Sequence, residues 1–117
     1  MMTKILETIK QLLGISSDLT AFDPEIIVAI NSALMSLNQL GIGPDNGFMI
    51  TGNEDTWESL LGTVTNLEGV KTFVYLKTKL TFDPPQTSHL IEAINRQITE
   101  LEWRLTVQKE ESEEPIV

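Results

Sequence analysis

The side chains that most often do chemistry are few in this chain. There is one histidine, His89, and it stands next to a helix start. A catalytic triad would need it beside a nucleophile and a carboxylate, and nothing in the sequence places such a set together. His89 reads as a surface histidine. Glu54, Asp55 and Glu58 come nearest to a metal site, but the ligand spacing of a calcium loop is missing. They read as a solvated acidic loop. The stretch GIGPDNG, residues 41–47, is rich in glycine. It lacks the Lys-Ser/Thr ending of a phosphate loop and follows no strand, so its glycines suit turns. The absence of cysteine removes disulfides, thiol catalysis and thiolate ligands, and fits a reducing compartment. The reading is a non-enzyme with no cofactor and no metal.

Other residues stand out for their position rather than their reactivity. Lys77 projects near the middle of an apolar arc. Either its stem lies on apolar surface with the ammonium in water, or it meets a carboxylate of another subunit. Trp103 points away from the apolar stripe of its own helix, close to Arg96, His89 and Val107. Arg96 and Trp103 share a face two turns apart, and Trp and Arg are enriched at binding hot spots. Val28 and Met35 give a second helix a similar off-core strip, among Ser32 and Gln39. Val28, Met35, Lys77, Arg96 and Trp103 are therefore the candidate subunit or partner contacts. Two helices with secondary apolar positions predict a protomer with neighbours on both sides, and such heterologous contacts close into a ring where the rotation allows.

These residues need elements to position them. TKILETIKQLLG puts Ile5, Leu6, Ile9, Leu12 and Leu13 on one helical face, with Gly14 as the stop. Residues 15–22 read as a loop. A second helix opens at Asp23-Pro24-Glu25, with Asp23 as the cap, and places Ile26, Ile27, Ile30, Ala33, Leu34, Leu37 and Gly41 on one side. Residues 41–56 form a long loop in which Phe48, Met49 and Ile50 are one short strand or a buried plug, and a candidate channel or docking loop. TWESLL reads as a helical turn whose Trp57 covers the core. A third helix runs from about Asn66 to Phe82 and ends at Asp83-Pro84-Pro85. A fourth begins near Thr87 or Ser88 and runs to about Val107, with Leu90, Ile91, Ile94, Ile98, Leu101 and Leu105 as its stripe.

The fold class expected is all-α: a compact bundle of about four main helices plus a short helical turn, with that long loop between helices two and three. Residues 1–107 form one domain, and the tail 108–117, rich in glutamate, is expected to be disordered. The chain has 117 residues, of which 41% are apolar, enough for one core. No apolar run reaches the roughly 20 residues of a membrane span, and the N-terminus has no signal-peptide pattern. A soluble, intracellular protein without membrane contact is expected. The net charge of −9 lacks the basic surface of a dedicated nucleic-acid binder. Negative walls do suit a passage through which DNA slides without being held.

Three segments together carry a resemblance: FDPEIIVAINSALMSLNQLGIGP, the TWESLL turn, and LEGVKTFVYLKTKLTFDPPQTSHLIEAINRQITELEWRL. The order of the aspartate-led helix, the VKTFVYLKTKLTFDPP helix and the ELEWRL ending resembles the small head–tail connector proteins of tailed bacteriophages and of prophages in Gram-positive bacteria. These are also called head-completion, adaptor or DNA-packaging proteins. The resemblance implies an all-α virion protein, made in the host cytoplasm. It implies a ring under the portal that extends the DNA channel and joins the head to the next neck or tail-completion protein. Its partners would be itself, the portal and that neck protein, with DNA a passing occupant. No catalytic residues are implied. Lys77, Phe82, Asp83, Pro84, Pro85 and Trp103 match the pattern, which assigns them no contacts. The rival readings are a small helical adaptor for another protein and a helical DNA-binding regulator, whose charge is wrong.

Overall fold

A computed structural model describes residues 4–62 and 67–113. It contains five helices: α1 (Ile5–Leu13), α2 (Asp23–Gln39), α3 (Trp57–Leu61), α4 (Leu67–Phe82) and α5 (Ser88–Glu113). The fold is all-α, as expected, and no strand occurs among the described residues. A single isolated bridge pairs Lys4 with Thr56.

The helix α4 lies at the centre and packs on α1, α2 and α5. Its Val70, Phe73 and Val74 meet Ile26, Ile30, Leu34 and Leu37 of α2 in one buried cluster with Ile5, Leu6 and Ile9 of α1. Each such side chain contributes about 1.5–3 kcal/mol by leaving water. The period-3.6 pattern in α2 was enough to predict this face. In α1 it overreached. Leu12 is 48% exposed and Leu13 only partly buried, so the buried face of α1 ends at Ile9 and Lys10. Gly14 sits at φ +81°, where a side chain would be strained, and its N–H bonds the Gln11 carbonyl.

The start of α2 departs from expectation. Asp23 is the first helical residue rather than a cap, and no side chain caps this end. The reason is Lys10. Its side chain is buried, and Asp23 Oδ1 lies 2.9 Å from its Nζ. The same ammonium donates to the carbonyls of Leu19 at 2.8 Å and Ser17 at 3.4 Å. One buried cation thus folds the 15–22 segment back onto α1, and it draws away the carboxylate that would have capped α2.

The loop 41–56 is built by side chains of α2. Asn31 Nδ2 donates to the Ile50 carbonyl at 3.0 Å, and its Oδ1 accepts from the Ile50 N–H at 2.8 Å. Asn38 Nδ2 donates to the Pro44 carbonyl at 2.9 Å. An amide side chain therefore satisfies the backbone that a partner strand would have satisfied, so 48–50 forms no strand. Trp57 is wholly buried within the core, and its Nε1–H donates to Thr8 Oγ1 at 3.1 Å. The Asn31→Ala variant is expected to lose about 1–3 kcal/mol, since it strands both polar groups of Ile50. Amide hydrogen exchange at Ile50 should accelerate while exchange in α4 changes far less.

Helix α5 is capped by Thr87, whose Oγ1 accepts from the Leu90 N–H at 3.3 Å. Its expected stripe is only partly buried. Ile98 and Leu105 are in the core, Ile94 and Leu101 are half-buried, and Leu90 is 52% exposed. A helix of 26 residues is about 39 Å long, against about 24 Å for the 16-residue α4 it packs on. Part of its length therefore overhangs, and the molecule is elongated at 52 × 35 × 24 Å. The helix end expected near Val107 is not found there. The following Gln, Lys and Glu residues are good helix formers, and α5 continues to Glu113. The rest of the expected acidic tail, residues 114–117, lies outside the described residues.

Candidate assembly surfaces

The most exposed large apolar side chains of α2 and α5 are Val28, Met35 and Trp103. Val28 is 65% exposed and Met35 64%, both on α2, and Trp103 on α5 is 67% exposed. Each lies on the side of its helix opposite the buried residues. Val28 and Met35 oppose Ile26, Ile30 and Leu37, while Trp103 opposes Ile98 and Leu105. Single exposed apolar residues are ordinary; here Val28 and Met35 stand two turns apart on one flank of α2, and Trp103 stands two turns from the exposed Arg96 on α5.

Near Val28 the surface is shaped. Glu25, Val28, Ala29, Thr81 and Phe82 line an open groove between the first turns of α2 and the end of α4. Phe22, itself 48% exposed, meets Phe82 edge to face with centroids 6.1 Å apart. Each ring belongs to a Phe-Asp-Pro tripeptide, Phe22-Asp23-Pro24 and Phe82-Asp83-Pro84. That repeated tripeptide is the signal by which the sequence could have disclosed the pair.

The remaining candidates differ among themselves. Arg96 is exposed and has no ion-pair partner among the described residues. Lys77 is half-buried, with Nζ 5.7 Å from the centroid of the Phe73 ring. Its stem follows apolar surface and its charge faces a ring, the arrangement of a lysine that reaches water from a core helix. Of the loop residues, Met49 is 67% exposed, Phe48 packs partly against the core, and Ile50 is 1% exposed. Ile50 is a core plug rather than a docking residue, since its side chain and both its backbone polar groups are already used.

Of the residues that first invited a chemical reading, Asp55 is used structurally. Asp55 Oδ2 accepts from the Thr51 N–H at 3.0 Å, and its carbonyl accepts from the Ile5 N–H. His89 is exposed. Among the described residues no group of three His, Asp or Glu side chains is placed to hold a metal ion. Lys71 pairs with Glu68 at 3.8 Å on α4, and Lys79 pairs with Asp83, just past the end of α4, at 3.6 Å. Such exposed pairs contribute little to stability, and they direct both lysines along their own helix.

The surfaces are the exposed flanks of α2 and α5. The family model described as phage connector protein matches residues 5–112. The chain belongs to the phage connector protein family. No curated protein and no solved structure matches it. The matched span opens with the first residue of α1 and closes in the last turn of α5. As a phage connector, the chain is a structural protein of the bacteriophage head–tail connection. Its partners are other phage head and tail proteins, and its place is the virion. Among the described residues of this connector no helix is long and apolar enough to cross a membrane.

Proposed function

We propose that the chain is the repeated subunit of a ring that docks beneath the portal. The ring extends the DNA channel and offers its far side to the next neck or tail-completion protein. The observation that carries this reading is the pair of exposed strips, Val28 with Met35 and Trp103 with Arg96, on a member of a connector family. The strips lie on different helices, and α4 packs against both α2 and α5. One flank of a copy can therefore meet the other flank of the next, the arrangement that generates rings. The net charge of −9 suits a passage that must not grip DNA. Lys77 and Met49 are further positions for portal or neighbour contact.

The test compares the wild type with Trp103→Ala, each mixed with the portal protein of the same phage, by native mass measurement. The wild type should add copies to the portal and the variant should add few or none. Because Trp103 is exposed, its folded stability should change by no more than about 0.5 kcal/mol. A wild type that joins neither itself nor the portal would overturn the reading.

A further inference from the structure

The two exposed strips match each other in spacing. Val28 and Met35 are seven residues apart on α2, and Arg96 and Trp103 are seven apart on α5. At 1.5 Å per residue both intervals are about 10.5 Å. Seven residues fall about 20° short of two full turns, so both strips drift the same way round their helices. Two helices with such seams stay in register along both contacts when they cross at about 20°.

Charge chooses the polarity. Helix α2 has no Lys or Arg, and its exposed Glu25 has no ion pair among the described residues. On α5, Arg104 is held by Glu100 at 2.6 Å, whereas Arg96 is unpaired among the described residues. With α2 and α5 parallel, Arg96 arrives at Val28, one turn from Glu25. With the helices antiparallel it arrives at Met35 and finds no carboxylate. The groove beside Val28 also suits an arginine, being apolar along Ala29 and Phe82 with the Glu25 carboxylate at its edge.

We infer that α5 of one copy lies parallel on α2 of the next. Arg96 enters the Glu25–Val28–Phe82 groove and Trp103 covers Met35. The inference rests on the self-assembly reading above and assigns its partner surfaces, a second copy on each side. One helix pair buries well under the roughly 1,600 Å² of a stable interface, so free copies associate weakly and a closed ring adds the contacts. Sulfur against an indole is a favourable contact, which suits Met35 under Trp103.

The chain has no cysteine, so introduced thiols react only with each other. Val28→Cys copies and Arg96→Cys copies are mixed at about 1 mM, where even millimolar contacts are populated, and oxidised. Mixed disulfide dimers should exceed either homodimer by about tenfold. A second measurement reverses charges and follows assembly by mass. Arg96→Glu should weaken assembly about tenfold, and adding Glu25→Arg in the same chain should restore it. The same register brings Glu92 opposite Pro24, beside Glu25, so in the wild type Arg96 must outweigh it, and Glu92→Gln should strengthen assembly. Val28→Cys homodimers in excess would mean a two-fold contact and overturn the pairing. Assembly indifferent to both charge reversals would also overturn the pairing while leaving the ring reading in place. A wild type that stays monomeric alone and with portal would remove both.

Discussion

Trp57→Ala should cost about 3–5 kcal/mol and lower the melting temperature by about 10–20 °C. Trp57 is wholly buried and packs with Ile50, Leu60 and the residues of α1, α2 and α4 in one cluster. Removing the indole leaves a cavity too enclosed for the loop to fill, because Asn31 fixes Ile50 on one side. The lost Nε1–H bond adds little, since Thr8 Oγ1 keeps its bond to the Lys4 carbonyl at 2.7 Å. A domain of this size has about 5–15 kcal/mol to lose, so the variant approaches unfolding at the growth temperature. Thermal melting followed by helical circular dichroism measures it. The same substitution at exposed Trp103 should leave the melt almost unmoved. Two tryptophans thus separate folding from assembly in one chain.

Lys10→Met should cost about 2–4 kcal/mol in urea unfolding. The figure sits below that for a fully buried pair because the Asp23 side chain is 22% exposed and water can reach the stranded carboxylate. Methionine keeps most of the stem volume, so the loss reports the charge and the two carbonyl bonds from Leu19 and Ser17. The double variant Lys10→Met with Asp23→Asn should recover part of the loss, because no unpaired charge then remains. Exchange at the Leu19 amide should quicken in the single variant, as the 15–22 segment is no longer held to α1. An unchanged urea midpoint would mean that the segment is held by something other than this ammonium.

The sequence disclosed the helices through periodicity, and it did so best where neighbours surround the element. Helix α2 buries Ile26, Ile30, Ala33, Leu34 and Leu37 of its expected stripe, while Ile27 is only partly buried and Gly41 falls beyond the helix end at Gln39. Helix α5 shows the limit of the method. A stripe names the face a helix would bury, but it does not say how far along the helix that face is covered, and Leu90 in the first turn of α5 lies in solvent. Lys10 was invisible for a different reason. A lysine beside an apolar stripe reads as a surface charge, and its partner Asp23 lies across a loop that carries no pattern. Asn31 was equally hidden, since a polar residue on α2 gives no sign that it will stand in for a missing strand. The exposed strips were legible because they depend only on angle within one helix. Val28, Met35 and Trp103 oppose their own cores whatever the tertiary arrangement. Which strip meets which was not legible, because it needs the groove that Phe82 makes beside α2.

The most direct test follows Trp103 itself. In a Trp57→Phe chain made with 5-hydroxytryptophan the only labelled indole is the exposed Trp103, and exciting it selectively, beyond the absorption of ordinary tryptophan, reports that surface alone even beside portal protein. On mixing with portal protein from the same phage, its emission should shift to shorter wavelength in step with the rise in mass, as water leaves the indole. A complex that gains mass while the emission stays at its solvent-exposed position would contradict the claim that copies meet through this flank.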